Sequence, residues 1–289
     1  MPKIDFRFNF FISLVINTLF LVLEKLVIIP TYNEKENVAN ILHAVFNLQQ
    51  NFHVLIVDDG SPDGTGQIVK DLQATYPNQL FIEERSGKLG LGTAYIHGFK
   101  WAIKNGYQYV FEMDADFSHN PKDLQRLYEA CKIDAADVAV GSRYTKGGKV
   151  LDWPLDRHFY SRGGALYTKV ITWLPIKDPT AGFICYSVKV LEAINLDKIN
   201  FIGYAFQIAM KFVAWKLGFT VKEVPITFQD RKIGVSKMSV KILKEGMVGV
   251  LRLQWQSMFG GFKRKIKAPT KTAKVITANF NGDFAAESK

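Results

Sequence analysis

Four short runs, each followed by a segment of helical period, constrain this chain more than any other feature. They are Leu26-Val27-Ile28-Ile29-Pro30, Val54-Leu55-Ile56-Val57, Tyr109-Val110-Phe111-Glu112-Met113 and Asp137-Val138-Ala139-Val140. All are rich in β-branched or aromatic residues and have the length of a strand. After the first, Val38, Ile41, Leu42, Val45 and Phe46 recur at the spacing of one helix face. A run that is apolar throughout suits a strand covered on both sides, as in a parallel sheet. Repeated strand–helix alternation therefore predicts a doubly wound, mostly parallel α/β sheet with helices on both faces. A shorter strand is expected at Leu80-Phe81-Ile82.

The third run ends in Asp114-Ala115-Asp116. Residues at i and i+2 of an extended chain point the same way, so both carboxylates can face one ligand. Two adjacent carboxylates repel unless a cation or a shared proton relieves them. A hard divalent cation that also takes phosphate oxygens suits such a pair. Asn120 and Pro121 follow as helix cap and first helical residue, which puts the pair between a strand end and a helix start. That is the usual place for ligands in open α/β sheets. Alone, the tripeptide reads equally well as a solvated turn.

Two loops repeat the placement. Asp58-Asp59-Gly60-Ser61-Pro62-Asp63-Gly64 must turn sharply after the second strand. Arg85-Ser86-Gly87-Lys88-Leu89-Gly90-Leu91-Gly92 is basic and leads into a helix, where backbone N–H groups can meet an anion. It lacks the lysine spacing of a phosphate-binding P-loop, and its glycines can also serve only a tight strand–helix junction.

After Arg143 the rhythm changes. Lys146 to Pro154 reads as a loop long enough to be a mobile lid. Helices are expected from about His158 to Trp173, from Gln207 to Leu217 and from Ser239 to Phe262. Strands are expected at Phe183 to Tyr186 and, continuously, from Thr220 to Phe228. Trp153, Phe159, Tyr160, Tyr167 and Trp173 could line a lipid groove, but a helical core is the expected account, as for Phe212 and Trp215. His97 reads as structural; His119 is open between support for the acidic pair and packing at the helix start.

A net charge of +10 calls for an anionic partner. Nucleic acid would explain the charge but not the acidic loops, so none is expected. Cys131 and Cys185 stand far apart, give no metal or disulfide framework, and suit a reducing, cytosolic setting. Phe8 to Leu23 is apolar but falls short of the roughly 20 residues that span a bilayer. It reads as an anchor or as an extension upstream of the true start. The chain thus divides into residues 1–24, a catalytic domain at 25–238, a helix at 239–262 that can lie on an anionic membrane surface, and a basic tail at 263–289.

The segment from Leu26 to about Lys241 closely resembles the dolichyl-phosphate (polyprenyl-phosphate) mannose synthase branch of the family 2 glycosyltransferases. The matching motifs, in the family's order, are IIPTYNEKENV, IVDDGSPDGT, KLGLGTAYIHGF, FEMDADFSHNPKDL, VGSRY, KDPTAGF and EVPITFQDRKIGVSKMS. The resemblance implies a GT-A fold and transfer of mannose, with inversion, from GDP-mannose to a polyprenyl phosphate at the cytosolic membrane face. It implies that Pro30, Tyr32, Glu34, Val57 and Asp59 line the nucleotide site and that Ala115 lies against the nucleotide sugar. Asp114, Asp116 and, less firmly, Ser118 would hold magnesium or manganese; some relatives carry glutamine at position 118. Arg143, Arg231 and Lys237 would clamp phosphates, with Arg143 on either the donor or the acceptor side. Relatives often carry glutamate where this chain has Ala209. Many also carry membrane-spanning segments after the catalytic part, and none is evident here.

Other readings remain open at this stage. A different donor such as UDP-glucose would keep the reaction class. A sugar-phosphate nucleotidyltransferase would want a glycine-rich loop after the first strand, where Pro30-Thr31-Tyr32-Asn33 stands. An inactive nucleotide-sugar sensor would have little use for both Asp114 and Asp116.

Overall fold

The computed structural model describes residues 23–201, 203–230 and 240–262, apart from the side chains of 240–245. Its seven-stranded sheet runs in the order β3-β2-β1-β4-β7-β5-β8. The strands are β1 (Lys25–Thr31), β2 (His53–Asp58), β3 (Leu80–Glu84), β4 (Tyr109–Glu112), β5 (Val138–Ser142), β7 (Ile184–Ser187) and β8 (Val221–Pro225). Their pairings are parallel except for β7, which lies antiparallel between β4 and β5. Helices α1 (Val38–Phe46), α2 (Thr65–Gln73), α3 (Leu91–Lys104) and α4 (Asp123–Lys132) connect the early strands, as the alternation predicts.

Both faces of the sheet are covered at its centre, which is why β1 and β2 carry no polar alternation. On β1, Leu26 and Ile28 enter one core with Tyr95, Phe99, Tyr186 and Phe206. Val27 and Ile29 enter the other with Val38, Leu42, Phe111 and Phe183. All four β1 side chains are fully buried, and each contributes roughly 1.5–3 kcal/mol relative to an exposed one.

The structure departs from expectation in four places. First, the strand expected from Thr220 to Phe228 is two. Pro225 has no N–H with which to extend the ladder. After Ile226 the chain leaves the main sheet, and β9 (Thr227–Gln229) pairs with β6 (Lys149–Leu151) in a separate two-stranded sheet. Second, the segment expected to be a mobile lid contains β6 and is tied down, the Lys149 N–H donating to the Ile226 carbonyl at 2.9 Å. Third, α4 starts at Asp123 rather than Pro121. Asn120 instead closes a turn, its Oδ1 accepting the Lys122 N–H at 3.1 Å.

Fourth, the aromatics expected in a helical core are mostly outside it. Helix α5 (Leu155–Thr172) buries the small stripe Ala165, Thr168 and Thr172. Leu155, Phe159, Tyr160, Leu166 and Val170, with Trp173 just beyond, are exposed. Only Tyr167 leans on the core, and Trp153 joins a cavity wall. A helical period reveals a stripe but not which side the fold will cover. Phe212 and Trp215 do belong to the core, on α7 (Tyr204–Lys216), which follows the short helix α6 (Val188–Ala193). Helix α8 (Val240–Met258) packs on α5 and α7 through Val250 and Leu253, leaving Met247, Val248, Leu251, Trp255, Met258 and then Phe259 exposed. No described helix is long and apolar enough to cross a membrane.

Candidate active site

A cavity of about 350 Å³ opens beyond the carboxyl ends of β1, β4 and β5. Strand order runs outward in opposite directions from β1 and β4, and ligands of open α/β sheets bind at such a switch point. The wall gathers Pro30, Tyr32, Glu34, Asp59, Asp114, Ala115, Asp116, Ser118 and Arg143 from four segments of the chain. Of the residues that the motifs single out within the described chain, only Val57 is missing from it. Its side chain is wholly buried in the core, on the strand beside Pro30, its register partner.

The acidic pair follows β4 directly. Asp114 holds its side chain partly in solvent, and its N–H donates to His119 Nδ1 at 3.3 Å. Asp116 Oδ1 accepts the Ser118 N–H at 3.0 Å. That turn needs Phe117 at φ 60°, a left-handed conformation rare for an aromatic residue and typical of strained functional loops. His119 is buried flat against Phe183 at 4.8 Å. Burial pushes its pKa down to about 4, so the ring is neutral near pH 7 and accepts rather than donates at Nδ1. The structure therefore gives His119 the first of the two openings left by the sequence: it braces the Asp114 backbone, while its ring packs on Phe183 and Phe228.

Asp58 and Asp59 divide their work. Asp58 turns inward, accepting Thr31 Oγ1 at 2.7 Å and Ser61 Oγ at 2.6 Å, and so shapes its own loop. Asp59 faces the cavity with its carboxylate gripped by Arg85 Nε at 2.6 Å and by the Leu89 N–H at 3.1 Å. The basic glycine loop is thereby folded back over the end of β2. Gly90 takes φ 100° at its turn, and a Cβ on Gly92 would stand 2.9 Å from the Phe201 carbonyl oxygen. The junction reading of these glycines has a direct physical basis. Lys88, from the same loop, lies 4.7 Å over the Tyr32 ring and brings a cation into the wall.

Arg143 is a positive charge already engaged. Its Nε and Nη2 donate to Asp178 Oδ2 and Oδ1 at 2.7 and 2.6 Å, and Nη2 also reaches Thr180 Oγ1 at 2.8 Å. The guanidinium lies over Trp153 and Phe228 at 5.4 Å. Burial opposes its charge, but Asp178 more than offsets this and holds it above its ordinary pKa. Arg157 is a second wall cation, bonded to Asp230 at 2.7 Å. Arg231 and Lys237 lie outside the described residues.

Among the described residues, no three His, Cys, Asp or Glu side chains cluster as a ready-made metal cage. Asp114, Asp116 and the buried Ser118 instead supply oxygen donors on one cavity wall. Such an incomplete set fits a hard cation whose remaining positions are filled by substrate oxygens and water.

Residues 26–194 match glycosyl transferase family 2. The chain belongs to this family. It is a glycosyltransferase of the dolichyl-phosphate mannosyltransferase type. It is 46% identical over 226 residues to the polyprenol monophosphomannose synthase of Mycolicibacterium smegmatis, covering 78% of this chain and 84% of that one. It is 42% identical to the undecaprenyl-phosphate mannosyltransferase of Micrococcus luteus, covering 83% and 98%. The dolichol-phosphate mannosyltransferase of Pyrococcus furiosus is 38% identical over 80% of this chain and 64% of its own length. Among solved structures, glucosyl-3-phosphoglycerate synthase from Mycobacterium tuberculosis, in complex with Mn2+, UDP and glucosyl-3-phosphoglycerate, superposes with a TM-score of 0.56. That match has 16% identity and covers 82% of this chain and 80% of the other. The GT-A fold of this family is the fold seen here.

Proposed function

We propose that this glycosyltransferase moves mannose from GDP-mannose to a polyprenyl phosphate, with inversion, at the cytosolic face of a membrane. One observation carries the reading: Asp114 and Asp116 stand on the wall of a switch-point cavity in a chain 46% identical to a polyprenol monophosphomannose synthase. Pro30, Tyr32, Glu34 and Asp59 would frame the nucleotide, with Lys88 of the basic glycine loop adding a cation. Asp114, Asp116 and Ser118 would hold magnesium or manganese, which when bound neutralises charge on the departing diphosphate.

In the transfer, an oxygen of the acceptor phosphate bonds to the anomeric carbon from the face opposite the diphosphate. The bond from that carbon to the donor's phosphate oxygen breaks, and its electron pair leaves with GDP. A phosphate monoester has its second pKa near 6, so the acceptor is mostly a dianion at neutral pH and no base must take a proton. That agrees with His119, the one histidine in the cavity wall among the described residues, whose Nδ1 is taken by the Asp114 N–H. Cations are needed instead, to position the dianion. Arg143, held rigid by Asp178, orders the wall and offers its field to a phosphate. Arg231 and Lys237 remain the candidates for direct contact.

Membrane association is supported by the exposed faces of α5 and α8, neighbouring helices joined where Tyr167 donates to the Met247 carbonyl at 3.1 Å. Phe159, Trp173, Trp255 and Phe259 are each 64% exposed or more. Large aromatics so placed suit the boundary of a bilayer, and the sequence continues into Lys263, Arg264, Lys265 and Lys267.

Purified protein, labelled GDP-mannose, a polyprenyl phosphate and manganese test the reading, with lipid-linked product counted and its anomeric configuration assigned by NMR. β-Linked mannosyl lipid is expected. Labelled lipid from UDP-glucose but not from GDP-mannose, or retained configuration, would overturn it.

A further inference from the structure

Beneath the cavity lies a cluster of buried polar groups that transfer, as described above, does not use. Helix α7 places Gln207 and Lys211 one turn apart on the same face, 3% and 0% exposed. Opposite them stand Glu112 at the end of β4, Tyr95 of α3 and Tyr186 of β7, all wholly buried. Lys211 Nζ donates to the Ala181 carbonyl at 2.6 Å. The other groups are poorly satisfied. Both Glu112 oxygens, the hydroxyls of Tyr95 and Tyr186, and Gln207 Oε1 close no hydrogen bond. Gln207 and Tyr186 approach the carboxylate closely enough to offset part of its burial, but not in full hydrogen-bond geometry.

Each unsatisfied buried group costs about 1–3 kcal/mol, and native folds hold few of them. A region that only had to pack would carry apolar residues here. The cluster also has a direction. Gln207 forms part of the cavity wall beside Ala181, Gly182 and Tyr204. A Cβ on Gly182 would stand 3.5 Å from Gln207 Nε2, so the nitrogen is the end of the amide next to that open wall. Glycine at 182 leaves room for a ligand atom to reach it.

The chemistry of this corner selects its ligand. Phosphate would call for a free cation, and Lys211, the ammonium of this cluster, is buried and bonded to a carbonyl. A neutral amide N–H suits a neutral acceptor such as a hydroxyl. Glu112 lies two residues before Asp114, a rise of roughly 7 Å along a strand, so the corner is within one ring's length of the acidic pair. A hexose attached to a diphosphate at that pair would reach it.

We propose that Gln207 reads the donor's sugar: its Nε2–H donates to a ring hydroxyl beside Gly182. Glu112 and Lys211 are positioning residues, the first backing the amide and the second fixing the Ala181 wall through its carbonyl. This rests on the reading of the cavity as a nucleotide-sugar site. Discrimination between sugars that differ at one carbon is strongest where a site's buried polar group would be left unpaired by the wrong one.

The test compares GDP-mannose with GDP-glucose in the wild type, in Gln207→Met, which keeps the volume and removes the donor, and in Gln207→Asn, which retracts it. GDP, which has no sugar, serves as a competitive inhibitor and as a check on folding. Both variants should lose about 10-fold or more in kcat/KM for GDP-mannose, the scale of one hydrogen bond. The GDP inhibition constant should stay within about twofold, and the GDP-mannose to GDP-glucose preference should shrink at least about fivefold. Unchanged preference in both variants, or losses mirrored by GDP, would overturn the assignment. If the wild type transfers no mannose, the functional reading fails instead. Gln207 is then judged by the same variants with UDP-glucose, UDP-galactose and UDP, under the same two criteria.

Discussion

Arg143 and Asp178 close a two-pronged ion pair, Nε–Oδ2 at 2.7 Å and Nη2–Oδ1 at 2.6 Å, with both side chains under one-tenth exposed. The Arg143 backbone N–H adds a third bond to Oδ2 at 2.9 Å. A pair this far from water is costly to break by halves, because the surviving charge stays buried without a partner. Asp178→Ala should therefore destabilise the protein by about 3–5 kcal/mol in urea unfolding. The exposed pair Lys100–Asp197 is the internal control. Asp197→Ala should cost no more than about 1 kcal/mol. Equal losses in the two variants would show that the Arg143–Asp178 pair has no special structural weight.

The acidic pair makes the opposite prediction, loss of activity without loss of fold. Asp114 has its side chain 41% exposed, so removing the carboxylate leaves no cavity in the core. Asp116→Ala should abolish transfer and Asp114→Ala should reduce it severely, with unfolding midpoints close to wild type. Asp116→Ala that retained full activity in chelator-treated buffer would exclude a metal role for that residue.

How much of this could be read from the chain depends on range. The strand runs and the acidic pair at the end of β4 were legible because both are local: the period and the loop chemistry lie within a dozen residues. Arg143 was legible as a cation, but its partner lies 35 residues on and meets it only when β7 inserts antiparallel between β4 and β5. Glu112, Gln207 and Lys211 are not legible in the pattern because one polar residue inside an apolar run reads as noise. Glu112 in Tyr109-Val110-Phe111-Glu112-Met113 was the available signal. Lys88 is signalled by the basic glycine loop that holds it, but its approach to Tyr32 is not; Arg157 has no signal beyond its charge. The exposed face of α5 is hidden from a pattern reading because its core contact uses small residues, Ala165, Thr168 and Thr172, which carry little weight in a hydrophobic pattern.

His119 gives a pH prediction whose sign follows from burial. Its folded pKa, about 4, lies below the ordinary 6.5. Above pH 6.5 the ring is neutral in both states and the contribution is complete. As pH falls below 6.5 the unfolded chain takes up the proton first, and stability is lost until the folded pKa is reached. At about 1.4 kcal/mol per pH unit, the loss between pH 6.5 and 4 is on the order of 3 kcal/mol. His119→Gln should flatten that part of the stability curve, measured by urea unfolding at a series of pH values. Parallel curves for wild type and variant would mean that the ring titrates as freely folded as unfolded.

The apolar faces of α5 and α8 predict where a bilayer would touch. Phe159→Ser combined with Trp255→Ser removes two aromatics that are 78% and 64% exposed, so folding should be unaffected. Binding to anionic liposomes should fall by an order of magnitude or more, while transfer to a short-chain, water-soluble prenyl phosphate should hold. Binding should also weaken with salt and on removal of residues from Lys263 onward, since each basic residue near an anionic surface adds about 1 kcal/mol. Equal binding to neutral and anionic liposomes would count against the basic tail. Unchanged binding of the double variant would count against the two helices.

The acceptor's own charge gives the last prediction. A phosphate dianion needs no base to activate it but must be held by cations, and holding two oxygens at once favours arginine's planar fork over lysine. Arg143 and Arg157 already spend donors on Asp178 and Asp230 at the cavity wall. Arg231, which follows Asp230 in the sequence, is the candidate for that grip. Arg231→Lys should therefore raise the apparent KM for the lipid phosphate several-fold more than that for GDP-mannose. Activity should also decline as pH falls through about 6, where the acceptor gains its second proton and loses half the charge that the cations grip. That decline should follow the acceptor, moving to lower pH for an analogue whose second pKa is lower. Efficient transfer to an uncharged polyprenol, or an Arg231→Lys enzyme with unchanged acceptor kinetics, would remove the phosphate from this role.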